Sequence, residues 1–490
     1  MARTSTRPHY NVTFAVLLLG VAAYSLLQSM VVPVLPTLIT DLHTTQDTAT
    51  WLMTAYLLSA SVATPILGRI ADMVGKERML IVTLLALTVG SALAGISHSI
   101  GLMIVARVIQ GLGGGVLPIS FGIIRDEFPA ARVRGAVGIT AALTAVGGGF
   151  GLILAGPIVD NMDYHWLFWF PMIMTAIATV ATWLFVPESP VRTPGRISWG
   201  AAALLSAWLI TLLLGVSEGP MWGWGSARII GLFAAAVVCA ALWILVELRS
   251  DAPLIDMRMM RIPAVWTANL VALLFGVVMY TTMTFLPQLV QTPEKLAGYG
   301  FGASITQSGV YMLPMTIGMF IFGVLSGPLS VRFGSKLVLV AGSVLTIVPF
   351  LLLGVADDKS WEIYVASSVM GIGMGLAFSS MSSIVVEAVS PQQTGVASGM
   401  NANIRTIGGA IGSGIAASIL ANGVTIAHPL PKASGYTATF WMMAGAAVLA
   451  TVAALIIPAA RKSAGKTVSE QAASAPDAQD AHEGEEAKAV

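Results

Sequence analysis

Arg107 is a positive charge inside an apolar run long enough to span a bilayer, with Gln110 three positions and Gly111 four positions further along. An arginine at the centre of a membrane helix costs about 2.5–3.5 kcal/mol on insertion scales, so its side chain should face a cavity or a polar partner. Residues three and four positions apart share one helix face, so Gln110 and Gly111 lie beside Arg107. The alternative is an arginine that extends to the membrane surface, which the depth of residue 107 disfavours.

The stretch from Gly68 to Arg78 is a short polar turn between two apolar runs. Gly68 and Gly75 permit a tight reversal and a close approach of helices. Asp72 can accept hydrogen bonds from a helix N-terminus or from cations such as Lys76 and Arg78. We therefore predict an ionic latch, formed between helices in one conformational state and broken in another. The alternative is a charged turn that only fixes the orientation of the chain.

The stretch from Gly327 to Lys336 repeats this turn in a weaker form. Its two glycines have the same spacing as Gly68 and Gly75, but Val331 stands where the first copy has Asp72. The sequence therefore predicts that the ionic latch belongs to the first copy.

The carboxylates of the apolar runs stand at the ends of those runs, as Asp72 and Asp126 do, and none stands in the middle. A permanently dicationic ligand normally requires a carboxylate within the membrane. The sequence therefore favours neutral, anionic or weakly basic amphipathic ligands.

Asp160, Asp163, Tyr164 and His165 form an acidic and histidine cluster at the boundary of a run, and tryptophans follow it. A histidine beside carboxylates can titrate near neutral pH and respond to the proton concentration outside the membrane. The alternative is a solvated loop next to an interfacial aromatic belt.

Several chemistries are not indicated by the sequence. No zinc-ligand spacing, phosphate-binding Gly-Lys-Ser/Thr loop or nucleophile elbow occurs, so no metal site, cofactor, ATP-driven step or enzymatic activity is expected. The net charge of +1 gives no reason to expect nucleic acid as a partner. The lone Cys239 cannot form an intrachain disulfide.

The elements that must position these residues are membrane helices. The chain is 56% hydrophobic and 10% charged, far from the roughly 25% charged residues of soluble domains. Runs of about 20 apolar residues mark transmembrane helices, and we find fourteen, so the predicted fold is an all-α polytopic membrane protein. The predicted spans are 13–36, 50–69, 79–97, 101–122, 136–159, 166–186, 198–217, 228–248, 266–289, 304–326, 336–355, 362–386, 402–421 and 437–458.

Most of the 25 lysines and arginines fall in the two tails and in the loops that follow even-numbered spans. Positive residues mark cytoplasmic loops, so both termini are expected in the cytoplasm. Residues 461–490 are rich in Ala, Glu, Asp and Ser without an aromatic residue, which predicts a disordered tail.

The chain contains an internal repeat. Gly111 matches Gly371 and Asp126 matches Glu387, at offsets of about 260 residues. Two parallel six-helix repeats with a substrate site between them are typical of one large transporter class. The predicted domains are a cytoplasmic tail (1–12), an N-terminal six-helix bundle (13–187), an inserted two-helix hairpin with its flanking loops (188–262), a C-terminal six-helix bundle (263–460) and the tail (461–490).

These motifs resemble a known family. The stretch from Gly68 to Arg78 matches the loop 2–3 signature of the major facilitator superfamily. Arg107, Gln110, Gly111 and Gly113 match the span-four signature of its proton-coupled drug exporters. With fourteen spans, the chain resembles the fourteen-helix drug:proton antiporter family over about residues 10–460.

The resemblance implies positions for proton coupling and for a substrate cavity between spans one, four, nine and twelve. A lining of methionine and aromatic residues suits bulky apolar ligands, although any single member can simply pack between helices. The proton-coupling candidates are Arg107, Gln110, Asp126, Asp160 and His165. The cavity candidates are Tyr24, Gln28, Met30, Arg107, Tyr280, Met283, Gln288 and Met374.

Spans five and thirteen carry glycines at every fourth position, and such stripes let helix backbones approach closely. The residues are Gly147 and Gly151 in span five and Gly408 and Gly412 in span thirteen. We expect them to form the sliding interface of a protein that rocks its two halves.

The chain departs from the family pattern at two places. Gly148 and Leu152 stand where the span-five antiporter signature usually has prolines. Leu27 stands where many fourteen-helix exporters have a span-one aspartate. These departures keep an importer or a uniporter of the same fold open as an alternative.

The sequence as a whole predicts a proton-driven exporter of lipophilic or amphipathic small molecules in the plasma membrane. The proton gradient is the expected energy source, and the lipid bilayer the expected surroundings. A non-transport membrane scaffold and an intramembrane enzyme are remote alternatives, because a scaffold does not need Arg107 in a span and an enzyme needs paired catalytic groups at mid-membrane depth.

Overall fold

The computed structural model describes residues 9–189, 198–250, 253–356, 359–422 and 430–458. Within these residues, fourteen helices are long and apolar enough to cross a membrane, which confirms the predicted number of spans. In chain order they are α1 (Tyr10–Val34), α2 (Gln46–Val74), α3 (Lys76–Gly95), α4 (Ile100–Glu127), α5 (Ala130–Asn161), α6 (Trp166–Phe185), α7 (Trp199–Trp222), α8 (Ala227–Arg249), α9 (Pro263–Gln291), α10 (Ile305–Phe333), α11 (Ser335–Leu353), α12 (Ser360–Ala388), α13 (Thr394–Ala421) and α14 (Ala433–Ile456).

Glycines determine where two equivalent helices end. Gly75 lies between α2 and α3 with φ of 132°, and Gly334 lies between α10 and α11 with φ of 88°. Positive φ is accessible to glycine without the steric cost that a Cβ imposes, so both turns can reverse within one residue. These glycines belong to the two copies of the polar turn, which explains why their spacing repeats.

The α4 helix changes its winding in the middle. Its α-helical segments Ile100–Gly111 and Val116–Glu127 are joined by a 3₁₀ turn at Leu112–Gly115. A Cβ on Gly114 would lie 2.9 Å from the carbonyl oxygen of Ala60 in α2. The glycine run therefore allows α4 to pack closely against α2, beside Arg107.

The two six-helix groups pack in the same pattern. Within α1–α6, the main contacts join α1 to α5 and α6, α3 to α6, and α4 to α2 and α3. Within α9–α14, contacts join the corresponding pairs eight helices later: α9 to α13 and α14, α11 to α14, and α12 to α10 and α11. Across the two groups, α2 packs on α13 and α5 packs on α10. We call these groups the N-half and the C-half.

The α7 helix packs on both halves, since it contacts α2 and α13. The hydroxyl groups of Thr54 and Ser217 lie 3.2 Å apart, and Trp224 in the turn after α7 donates a 2.7 Å hydrogen bond to Ser418. The α8 helix packs mainly on α7, with the rings of Trp208 and Trp243 stacked at 5.5 Å. The hairpin is therefore attached to the bundle through α7.

Large apolar side chains are exposed on the outward faces of many helices, including Leu85, Ile177 and Val237. These surfaces suit lipid, and they fit a multi-pass membrane protein. Residues 1–8 of the predicted N-terminal tail and the predicted tail 461–490 lie outside the described residues. The domain boundaries given above stay predictions, as does the location of the termini.

Candidate functional site

A cavity of about 430 Å³ lies between the N-half and the C-half. Its wall includes Tyr24 and Gln28 of α1, Tyr56 of α2, and Tyr280 and Met283 of α9. Helix α7 adds Ser217 and Pro220, so the inserted hairpin contributes to the wall. The surface is mainly apolar with several hydroxyl and amide groups, which is typical of small-molecule sites.

The cavity reaches one end of the helical bundle. Its wall includes Thr50 near the start of α2 and Ala417 near the end of α13. At the other end of the same helices, Asp72 of α2 lies beside Gly395 of α13. We call the end with Asp72 the latch end, and the other the cavity end.

The predicted latch residues are largely brought together. Lys76 lies 2.5 Å from Asp126 and 3.8 Å from Asp72, measured from Nζ to the carboxylate oxygens. The three side chains are 1% exposed, and Ser189 donates a hydrogen bond to Asp126. Asp126, predicted as a proton-coupling candidate, is therefore a member of this ionic cluster.

Gly68 and Asp72 face the other half of the molecule. A Cβ on Gly68 would lie 3.0 Å from the carbonyl oxygen of Gly395, and a Cβ on Gly395 would lie 3.1 Å from an oxygen of Asp72. Arg78 instead points to the surface, where it is 63% exposed and lies 3.5 Å from Glu188. The cross-half contact is thus made by α2, and Arg78 is outside it.

A second cross-half contact at the latch end was not found from the sequence. Arg125 donates hydrogen bonds to the carbonyl oxygens of Val386 and Val389 and to the hydroxyl of Thr394. These acceptors lie at the end of α12 and the start of α13, so Arg125 joins the N-half to the C-half. The signal that could have identified it is its position next to Asp126, at the end of a span that the repeat pairs with α12.

Arg107 is completely buried and has partners within the N-half. Its Nε donates to the carbonyl of Leu52 at 3.0 Å, and its Nη1 donates to Gln110 Oε1 at 2.9 Å and to the carbonyl of Leu27 at 3.5 Å. The guanidinium also lies 4.2 Å from the ring centroid of Tyr56. The sequence predicts that Arg107 faces either a cavity or a polar partner. The structure shows polar partners, together with an aromatic ring.

The polar chain continues from Arg107 through Gln110, whose amide donates to Ser91 at 3.2 Å. Arg107 is not among the residues that line the cavity, but Tyr56 is. The ring of Tyr56 thus has the cavity on one side and the arginine on another. A change in the Arg107 network can reach the cavity through Tyr56.

Asp160 and His165 lie at the cavity end, away from Arg107 and Asp126. Asp160 accepts a 2.8 Å hydrogen bond from Thr306, which joins α5 to α10. His165 lies 2.9 Å from Asp163 and stacks on Tyr164 at 4.0 Å. The five proton-coupling candidates therefore occupy three separate places: Arg107 with Gln110, Asp126 in the latch, and Asp160 with His165 at the cavity end.

Tyr164 anchors the loop that carries His165. Its hydroxyl donates a 3.2 Å hydrogen bond to the carbonyl of Ser97. Burial raises the pKa of Tyr164, and the charges of Asp163 and Asp41 raise that pKa further. The hydroxyl therefore keeps its proton and remains a donor.

Of the predicted cavity residues, the structure places five in the wall: Tyr24, Gln28, Tyr280, Met283 and Gln288. Met30 and Met374 are buried among other apolar side chains and, like Arg107, are not among the described lining residues. The wall also includes Tyr56 and Arg405, which are not among the predicted cavity residues.

The predicted glycine stripes contact the first helix of their own half. Gly147 and Gly151 of α5 face Ser25 and Ser29 of α1, while Gly408 and Gly412 of α13 face Leu273 and Val277 of α9. Close helix packing is present, as expected, but these positions are not at the interface between the halves.

Other glycines lie at the α5–α10 interface that joins the two halves. Gly149 of α5 faces Thr316, and Gly309 of α10 faces Ile153, where an added Cβ would lie 2.9 Å from Cα. Close contact between the two halves is therefore made by other glycines, which lie in α5 and in α10.

Comparison with known proteins gives a consistent family match. The family model described as the Major Facilitator Superfamily matches residues 17–412 and residues 268–483. An uncharacterized transporter of this type from Mycobacterium tuberculosis is 30% identical over 424 residues, which are 84% of this chain and 60% of the relative. This chain thus spans less than two thirds of that relative.

Two relatives with named functions match to a similar degree. Multidrug resistance protein 3 of Bacillus subtilis is 27% identical over 425 residues, covering 86% of this chain and 81% of the relative. The Tetracenomycin C resistance and export protein of Streptomyces glaucescens is 27% identical over 422 residues, which cover 85% of this chain and 77% of the relative.

Solved structures share the fold. A human organic anion transporter superposes with a TM-score of 0.68 at 18% identity, covering 91% of this chain and all of the other. A proton:xylose symporter superposes with a TM-score of 0.64 at 13% identity, covering 92% of this chain and 96% of the other.

Proposed function

Because the chain belongs to the major facilitator superfamily, we propose that this transporter is a proton-coupled exporter of amphipathic small molecules that works by alternating access. The observation that carries the proposal is the asymmetry of the cavity between the halves. The cavity reaches one end of the bundle, and the contacts of Arg125 and of Asp72 join the halves at the other end. Opening the closed end requires those contacts to break.

The contacts at the latch end are suited to reversible closure. Arg125 binds the backbone carbonyls of Val386 and Val389 and the hydroxyl of Thr394 in the C-half. Water can replace each of these hydrogen bonds when the halves separate, so each contributes only about 0.5–3 kcal/mol net. Such an interface can be closed in one state and open in another.

The relatives support export and a drug-like substrate. Two of them are named for multidrug resistance and for resistance to and export of tetracenomycin C. A cavity of about 430 Å³ with a mainly apolar wall is of a size that suits such molecules. We place both termini in the cytoplasm, because the latch end carries basic loops.

Proton coupling is assigned to the Arg107 network and the latch. Asp72, Lys76 and Asp126 stabilise the state that is closed at the latch end. Arg107 couples protonation to a change in the conformation of the cavity, through its contact with Tyr56. The proton gradient is the energy source, and ATP is not used.

Everted membrane vesicles test the proposal. Proton-driven uptake is measured for lipophilic compounds of each charge type, with an ionophore that collapses the gradient as the control. We expect uptake by the wild-type protein and its loss in Arg107→Ala and Asp72→Asn. The matched controls are Arg332→Ala and Asp41→Asn, whose side chains are exposed. Full proton-driven uptake by both Arg107→Ala and Asp72→Asn would refute the assigned roles.

An importer or a uniporter of the same fold remains the alternative, since the same cavity serves transport in either direction. Intracellular accumulation separates the two. Removing an exporter from a cell raises the substrate concentration inside, whereas removing an importer lowers it.

A further inference from the structure

Arg405 is the one formally charged side chain among the described residues that line the cavity. It lies in α13, eleven residues after the helix begins at Thr394, and it is 6% exposed. A guanidinium in this position is largely removed from water. Its charge therefore dominates the electrostatic potential of the cavity.

The protein itself satisfies Arg405 only in part. Its guanidinium lies 4.2 Å from the ring centroid of Phe378, and the titratable side chains beside it are the neutral phenols of Tyr280 and Tyr24, with no carboxylate among them. Its Nε is buried without a hydrogen-bond partner. A buried donor without a partner is costly, and in native proteins it calls for a specific explanation.

Arg107 provides the contrast within the same chain. It is buried to a similar degree, but its Nε donates to the carbonyl of Leu52 and its Nη1 to Gln110. Its position behind Tyr56 keeps it out of the cavity wall. Each arginine keeps one buried nitrogen without a hydrogen-bond partner, Nη2 of Arg107 and Nε of Arg405, but only Arg405 is among the described residues that line the cavity.

Tyr280 supplies a second donor beside Arg405. Its hydroxyl oxygen accepts a hydrogen bond of 3.3 Å from the amide of Gln28. That bond uses an oxygen lone pair and leaves the hydroxyl proton for an acceptor elsewhere. A guanidinium and a phenol that converge on one space form a donor set for an oxyanion.

We propose that Arg405 binds the anionic group of an amphipathic substrate, a carboxylate or a sulfonate, with Tyr280 as an additional donor. This inference rests on the proposed transport function and names its substrate class. The planar guanidinium matches two oxygens of such a group. The apolar body of the substrate packs against Met279, Met283 and Phe285 of the same wall.

Two fluorescent compounds test the proposal, because they share an aromatic skeleton and differ in charge. Anilinonaphthalene sulfonate carries a permanent negative charge, and phenylnaphthylamine is neutral. Both are titrated against the full chain in phosphatidylcholine nanodiscs, and protein-free discs are subtracted. In Arg405→Gln we expect the dissociation constant of the sulfonate to rise about ten- to hundredfold, the effect of losing a charged hydrogen bond, while that of phenylnaphthylamine changes little.

Three further variants complete the test: two of them alter the proposed donors, and one is a control. Arg405→Lys keeps the charge without the planar fork, so its sulfonate affinity should fall between those of Arg405→Gln and the wild type. Tyr280→Phe removes one hydroxyl and should weaken sulfonate binding alone, which tests the site even where Arg405→Gln does not fold. Arg332→Gln removes an exposed arginine outside the cavity and should leave both affinities unchanged.

The outcomes separate this inference from the proposed function. Equal sulfonate affinity in Arg405→Gln and the wild type overturns the anion site. Loss of wild-type sulfonate binding in discs that contain phosphatidylglycerol assigns the site to an anionic lipid headgroup and overturns a soluble anionic substrate. Proton-driven uptake of phenylnaphthylamine into vesicles is measured separately, and its absence counts against the transport proposal without altering the binding result.

Discussion

Arg125 in the N-half donates a 2.6 Å hydrogen bond from Nη2 to the backbone carbonyl of Val389 in the C-half. The same guanidinium also binds the carbonyl of Val386 and the hydroxyl of Thr394. One side chain therefore holds the end of α12 and the start of α13 against α4. Closure at the latch end depends on this arginine as well as on the predicted ionic latch.

We expect Arg125→Gln to favour a state that is open at the latch end. Hydrogen bonds to a charged group contribute about 1.5–3 kcal/mol each, so their loss shifts the equilibrium between states by roughly tenfold or more. Spin labels at Val74→Cys and Val331→Cys, in a Cys239→Ser background, measure the separation of α2 and α10. Double electron–electron resonance should show a population with longer distances between the two spin labels in Arg125→Gln than in the wild type.

The matched control for this measurement is Arg132→Gln. Arg132 is exposed and bonds Tyr10 within its own half, so its loss should leave the distance distribution unchanged. Identical distance distributions in Arg125→Gln and the wild type would contradict the role of Arg125 in closing the latch end.

We expect Lys76→Met to lower the thermal stability of the folded protein strongly. Lys76 is the buried cation between Asp72 and Asp126, and removal of one partner from a buried ionic cluster costs about 3–5 kcal/mol. Arg78→Met removes a cation from a pair at the surface, where such pairs contribute about 0–1 kcal/mol. Melting temperatures in detergent compare the two, and equal losses would argue against the buried cluster.

We expect Gly408→Ala to disrupt the packing of α13 on α9. The added Cβ would collide with the backbone carbonyl of Leu273, and a backbone atom cannot move aside as a flexible side chain can. Gly445→Ala is the control, because a Cβ there meets no atom within 4 Å and alanine favours the helix by up to about 1 kcal/mol. Folded yield and melting temperature should fall only in Gly408→Ala. A similar effect in both would refute the packing role.

We expect Arg107→Lys to slow proton-driven transport while ligand binding is retained. A lysine has one cationic nitrogen and cannot both stack on Tyr56 and bind Leu52 and Gln110 as the planar guanidinium does. Because Arg107 does not line the cavity, the affinity for phenylnaphthylamine should be close to that of the wild type. A parallel loss of binding and transport would instead place Arg107 in direct contact with substrate.

The outcome for Arg405 shows where a one-dimensional pattern misleads. The predicted span thirteen begins at 402, which places Arg405 close to one end of that span. The helix begins at Thr394, so Arg405 lies deeper. The intervening Ser398 and Asn401 lower the local hydropathy, yet they are buried against other helices.

The sequence by itself determined the fourteen spans and the residues of the polar turn at Gly68 to Arg78. Hydropathy over about 20 residues and the need for glycine at a positive φ are local requirements, so they can be recognised in a short window. The repeat also predicted which glycines allow close packing.

Only the tertiary structure decided which partner each polar residue meets. Arg125 and Val389 are 264 residues apart, and Arg107, Arg405 and Asp126 each take their role from helices that are distant in the chain. A charge inside a membrane requires a partner or a cavity. The sequence indicates this requirement, but it does not indicate which of the two meets it. The choice depends on how the helices pack: it places Arg107 behind Tyr56, Asp126 beside Lys76, and Arg405 in the wall of the cavity.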